Sequence, residues 1–218
     1  MPRRCIRRNE LDGERIKALV GLFKQYETVP MVYGTDEDGG ILHHETRQTN
    51  DVLGTYLAKR RSAVGAIEVA DDLEALPWSR ALEVGTIDTR DRIAALTAAI
   101  GENVPGVRVI NTRSLLGEGR FFWAEAFDAD SDKGRGLAVL AEECGIPLGD
   151  TVAIGDNYND LDMFETAAVS VAMAGSPDEV LASADHVTGP VQEGGAAHVL
   201  ERIALGERPG TAGWKGLT

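Results

Sequence analysis

Thr151-Val152-Ala153-Ile154-Gly155-Asp156-Asn157-Tyr158-Asn159-Asp160-Leu161-Asp162-Met163 is the stretch that decides the fold. A short apolar run ends in Gly-Asp, a loop follows, and Asn-Asp opens a helix. In open α/β sheets ligands bind beyond the carboxyl ends of the strands. Asp156 stands at that place, and a carboxylate there is a hard oxygen ligand suited to Mg²⁺. Asn159 and Asp160, three and four residues on, reach the same pocket from the helix start. A lone Gly-Asp after a strand is ordinarily just the start of a cap, with Asp156 or Asn157 as the capping residue. The whole string Gly-Asp-x-x-Asn-Asp-x-x-Met is far more specific than that.

Around this stretch strands and helices alternate with short loops. The spacing predicts a helix over 133–144, ended by Gly145, with Leu137, Leu140, Ala141 and Cys144 on one face. Helices are expected over 161–167, 177–184 and 194–203, and strands over 151–154, 169–173 and 186–188. That alternation is the signature of a parallel, doubly wound sheet. Lys133 opens the helix that leads into the motif strand. A lone lysine there is usually a solvated charge. Its place 23 residues before Asp156 makes it a candidate to bind a phosphate oxygen or pair with a pocket carboxylate.

Residues 1–128 read differently, as an α+β pattern with hairpins. Ile16, Leu19, Val20 and Phe23 mark an amphipathic helix over 13–26, with Leu11 in the same periodic set. Val29–Tyr33 and Gly40–His44 flank Asp36-Glu37-Asp38-Gly39 as a β-hairpin. Thr49 or Asn50 caps a helix to Arg61, and Thr89 caps another that carries Ile93, Leu96 and Ile100. Further strands are expected over 63–69, 81–87, 107–111 and 120–127. The division is therefore 1–128, 129–205 and a tail, 206–218, rich in Gly and Pro and expected to be mobile.

The 218 residues suit one large domain or two small ones at roughly 100–200 residues each. A formal net charge of −13 disfavours a nucleic-acid or anionic-membrane partner at long range. Cys5 and Cys144 are too few for a disulfide framework or a zinc site. No apolar run approaches the roughly 18 residues of a membrane span. The basic start, Arg3 to Arg8, lacks the apolar segment of an export signal, so a cytoplasmic location is expected.

Lys133-Gly134, Leu140 to Ile146, Gly155-Asp156-Asn157-Tyr158-Asn159-Asp160, Val171-Ala172-Met173 and Ala184 to Thr188 together resemble the haloacid dehalogenase-like phosphatases, in their Cof-like, type IIB subgroup. The resemblance implies a Rossmann-like parallel-sheet core, present in part, plus an α/β cap formed by residues 9–128. It implies a Mg²⁺-dependent phosphomonoester hydrolase acting on a small phosphorylated metabolite such as a sugar phosphate. Lys133 is then the third motif, steadying charge on nucleophile and phosphate. Asp156 binds Mg²⁺, and Asn159 and Asp160 are polar residues near phosphate, metal and lysine, with Asp160 a second candidate ligand.

Two departures accompany the resemblance. Ala174-Gly175-Ser176 stands where the family usually reads Gly-Asn-Ala, so an amide is lost. The family's Asp-x-Asp-Gly-Thr nucleophile motif and its second motif are expected ahead of the cap, and the sequence shows neither there. Asp36-Glu37-Asp38-Gly39 imitates the first, but Pro30 argues against a central strand before it, and a hairpin turn is the expected reading. His43 and His44 are adjacent and point to opposite faces, which disfavours a metal pair. Trp123, beside Phe121 and Phe122, is expected to be core or a substrate-facing wall. A catalytically inert fragment and a cap-based metabolite-binding module remain as alternatives to an active phosphatase.

Overall fold

The computed structural model describes residues 5–35, 40–47, 50–63 and 66–207. The chain divides into two compact units, Arg8–Asp130 and Ser131–Thr218, the latter together with residues 1–7. Among the described residues no helix is long and apolar enough to cross a membrane.

The first unit runs β1 (Leu11–Asp12), α1 (Gly13–Gln25), β2 (Met31–Thr35), β3 (Gly40–Glu45), α2 (Asp51–Ala63), β4 (Ala66–Ala70), β5 (Arg80–Ala81), β6 (Glu83–Thr89), α3 (Arg90–Asn103), β7 (Val107–Arg113) and β8 (Phe121–Asp128). Six strands form one mixed sheet in the order β4-β3-β2-β6-β8-β7, with β3 and β4 parallel and the other neighbours antiparallel. Side chains alternate across a strand, so each strand feeds two cores. Val32, Val84, Ala124 and Ala126 pack against Ile16, Leu19, Val20 and Phe23 of α1 and Ile93, Leu96 and Ile100 of α3. Met31, Leu42 and Ile87, on the other face, meet Leu53 and Leu57 of α2. Asp12 starts α1 by accepting the Arg15 N–H at 2.9 Å.

Two places differ from expectation, and two expected caps can be compared with the structure. Leu11 lies in β1 and pairs with Ala81 rather than joining the helix. Residues 61–63 continue α2, so the next strand starts at 66. Asn50 caps α2, its side chain accepting the Leu53 N–H at 2.8 Å. Thr89 stands at the cap of α3 without a side-chain hydrogen bond. Asp36 to Gly39, Thr49 and residues 208–218 lie outside the described residues. The pairing of β2 with β3 is nevertheless the antiparallel one a hairpin requires.

The second unit contains α4 (Lys133–Cys144), β9 (Val152–Gly155), α5 (Leu161–Thr166), β10 (Val169–Met173), α6 (Asp178–Ser183), β11 (His186–Thr188) and α7 (Gly195–Ala204). Its sheet is parallel, in the order β11-β10-β9. Ala153, Phe164, Ala172 and Val180 make the core on one face. Val171 and Val199, with Val152, Ile154 and Ile203, make the other. The sheet is thus covered on both sides, as parallel sheets generally are.

A reciprocal clasp joins the starts of β10 and β11. Asp185 accepts the Ser170 N–H and hydroxyl, each at 2.8 Å, and the Ser170 oxygen accepts the Asp185 N–H at 3.0 Å. The Ser170 bonds hold the Asp185 carboxyl below its ordinary value. A depressed carboxyl stabilises above its unfolded value and loses that contribution as pH falls through the folded one. Ser170→Ala is therefore expected to cost about 1–2 kcal/mol in denaturant melts at neutral pH, and distinctly less near pH 2.

Candidate active site

The apolar strand β9 delivers the chain to Asp156 at the carboxyl end of the sheet. The turn that follows is held by its own side chains. Asn157 accepts the Tyr158 N–H at 2.8 Å. Asp160 reaches back, and its Oδ2 accepts the Asn157 N–H at 3.1 Å and the Asp156 N–H at 2.8 Å. This is reciprocal capping of one short 3-10 turn, Tyr158–Asp160.

The other Asp160 oxygen accepts a hydrogen bond from Lys133 Nζ at 2.5 Å. The Asp160 side chain is 4% exposed, whereas that of Lys133 is 48% exposed. One buried carboxylate thus serves three donors and ties the start of α4 to the loop after β9. Two glycines make the approach possible. A Cβ on Gly134 would fall 2.4 Å from the Asp162 carbonyl oxygen and 2.5 Å from Thr166 Oγ1, so α4 rests on α5 only because residue 134 is bare. A Cβ on Gly155 would fall 2.5 Å from Asp160 Cβ and 2.6 Å from its carboxyl carbon. Gly155→Ala is expected to destabilise the second unit by about 1–3 kcal/mol, the usual range for overpacking, as read by thermal melts.

Asp156 itself is exposed. Its carboxylate has no hydrogen-bond or ion-pair partner among the described residues. Among those residues no three His, Cys, Asp or Glu side chains gather into a complete metal site. That donor set still fits Mg²⁺, which is held by one or two carboxylates and fills its shell with water and substrate phosphate oxygens. Asn159 is half-buried beside the turn, and its amide makes no hydrogen bond among the described residues.

The structure therefore brings Lys133 and Asp160 into direct contact, and fastens Asp156 through its backbone to the same carboxylate. Asn159 lies in the turn, its side chain making no hydrogen bond to the other three among the described residues. Gly134 and Gly155 carry no sequence signal that marks them as contact points. Asn157 is read from the sequence only as an alternative cap. The Asn157-x-x-Asp160 spacing of a capping box was the signal available.

The remaining candidates separate. His43 lies against Trp78, centroids 5.0 Å apart, with Glu68 at 3.3 Å, and burial lowers its pKa. His44 is buried on the opposite face, so the two do not form a metal pair. Trp123 packs on Tyr56 with ring centroids 4.8 Å apart. In the loop after β10 the Ser176 hydroxyl donates to the Met173 carbonyl at 2.7 Å, a local closure where the expected amide is absent.

The decisive comparison covers residues 2–200, which match the family model of the haloacid dehalogenase-like hydrolases. The chain belongs to that family. Over 81 residues it is 37% identical to an uncharacterised protein from the pdhA 5' region of Geobacillus stearothermophilus, covering 37% of this chain and 85% of that protein. Over 83 residues it is 40% identical to the Bacillus subtilis 5-amino-6-(5-phospho-D-ribitylamino)uracil phosphatase YwtE, covering 38% of this chain and 29% of that one. The chain thus spans less than a third of the length of the B. subtilis phosphatases it matches. Among solved structures, a haloacid dehalogenase subclass IIB sugar phosphatase superposes with a TM-score of 0.70 at 21% identity, over 92% of this chain and 70% of that one. The α/β architecture of this haloacid dehalogenase-like hydrolase is the one its motif string implies.

Proposed function

We propose that this chain serves the Mg²⁺-dependent hydrolysis of a phosphomonoester carried by a small metabolite. The observation that supports this most is the exposed Asp156 at the carboxyl end of β9, its carboxylate unpaired among the described residues, beside a lysine pinned to the same loop. Asp156 would hold the metal as an oxygen ligand. When bound, Mg²⁺ neutralises charge developing on the transferring phosphoryl group. Lys133 keeps its ammonium half-exposed, with N–H donors left over from its bond to Asp160, and would donate them as hydrogen bonds to a phosphate oxygen. Asp160 holds the loop and aims the lysine. The reading does not retain Asp160 as a metal ligand, because both its oxygens already accept from donors. Asn159, whose amide makes no hydrogen bond among the described residues, would be a further donor to the substrate.

The first unit, residues 8–130, serves in this reading as the cap that selects the leaving group. The sugar-phosphatase activity named for the structural neighbour favours a sugar phosphate or a comparable phosphorylated metabolite. Two free, exposed cysteines suit a reducing cytoplasm. Among the described residues of the second unit, none of those gathered around Lys133 is assigned as the attacking carboxylate.

The test is a panel of sugar phosphates assayed with Mg²⁺ and with chelator, on the chain and on Lys133→Ala. Turnover that needs Mg²⁺ and falls at least about 100-fold in the variant supports the reading. Turnover indifferent to both contradicts it. Binding without turnover would favour the metabolite-binding alternative. Activity that vanishes in Asp36→Asn would place the attacking group in the 36–39 stretch.

A further inference from the structure

The first unit holds two carboxyl groups on one sheet face that the proposed chemistry does not use. Tyr33 of β2 lies opposite Glu83 of β6, and Gly85 lies opposite Glu125 of β8. The Glu83 carboxyl folds over Gly85, where a Cβ would come within 2.8 Å of its Oε1, and this brings it toward Glu125. Aromatic rings wall the place. Tyr33 and Tyr56 share a hydroxyl–hydroxyl bond of 2.7 Å, and Tyr56 stands edge-on to Trp123. No hydrogen bond from the described residues reaches the Glu83 carboxyl, whereas Thr112 of β7 bonds Glu125.

We propose that Glu83 and Glu125 form a coupled carboxyl pair, with one proton held at Glu83, that makes the stability of the first unit respond to pH across the neutral range. Among the described residues, the groups facing the pair are Tyr33 from β2, Tyr56 and Arg60 from α2, and Thr112 and Arg108 from β7. His44 lies on the same face of β3, two strands from β6. Arg60 is the positive charge felt at Glu83, and it is exposed, so water screens it. Two negative charges in a half-buried, aromatic-walled place would repel, and keeping Glu83 protonated removes the conflict.

The electrostatics agree. Burial, then the charge of Glu125, pushes Glu83 up to about 8, with Arg60 opposing. Burial raises Glu125 as well, with the Thr112 bond opposing. The unfolded chain releases its glutamate protons near the ordinary value of 4.5. Between there and about pH 8 the folded state binds more protons than the unfolded one, so stability falls as pH rises and levels off above.

Trp78 and Trp123 both lie in this unit, and their fluorescence reports its unfolding. From about pH 5 to about pH 9 the melting temperature of the full chain should fall by roughly 5–10 °C. Glu83→Gln should remove most of that fall, and Glu125→Gln should move its midpoint to lower pH. A flat wild-type profile, or a Glu83→Gln variant that keeps the full slope, overturns the proposal. Carboxyl-carbon NMR titration of the wild type decides the matter even if the variants fail to fold. One glutamate titrating above about pH 7 supports the pair, and all glutamates titrating below about pH 6 overturn it.

Discussion

Asp160→Ala is expected to lower the stability of the second unit by about 2–3 kcal/mol and to release the loop after β9. The magnitude follows from what the carboxylate serves. It is almost fully buried and accepts from two backbone N–H groups and one ammonium. Removing it leaves the Asp156 and Asn157 N–H groups without their acceptor. Water replaces part of the loss, because Asp156 is at the surface. The ion pair with Lys133 adds little, since that ammonium is half-exposed and screened. Asp160→Asn keeps one acceptor oxygen for the loop and should cost about 1 kcal/mol less, while still ending the pairing with Lys133. Denaturant melts of the two variants separate the contributions. An alanine variant within about 0.5 kcal/mol of wild type would show that the loop is held by something else.

Asp156→Asn is expected to do the reverse. Its side chain is exposed and bonded to nothing among the described residues, so the substitution should leave the melting temperature unchanged. An amide oxygen is a much weaker ligand for a hard cation than a carboxylate oxygen. Metal-dependent turnover should therefore fall by about 100-fold or more, in line with the loss of a main electrostatic contributor to phosphoryl transfer. The contrast between the two aspartates, four residues apart, is the diagnostic feature. One supports the loop and the other is offered to a ligand. A variant of Asp156 that melts early would erase that distinction.

Much of this arrangement is legible in the sequence, and the reason lies in its short range. The strand Val152–Gly155, the turn to Asp160 and the helix after it are set by local pattern, and β10 and β11 likewise. The pairing of Lys133 with Asp160 in particular, 27 positions apart, has no local signal; the residues alone suggest only a pocket carboxylate, and the resemblance only that Asp160 is near the lysine. The pairing depends on Gly134 and Gly155, whose missing side chains give no periodic signal. The first unit was read less completely. β1 and β5 are two residues each, too short to show alternation, so Leu11 passed for a helical residue. The parallel pairing of β3 with β4 is set by how α2 crosses, which no local pattern encodes. The clustering of Glu83 and Glu125 depends on the register of β6 against β8, again a long-range matter.

Calorimetric titration of Mg²⁺ into the full chain and into Asp156→Asn tests the central claim most directly, because it needs neither a known substrate nor turnover. With inorganic phosphate present to complete the metal's shell, the wild type should bind Mg²⁺ at one site. The variant should bind at least about tenfold more weakly with an unchanged melting temperature. Equal affinity in the two proteins would contradict the assignment of Asp156 as the metal ligand.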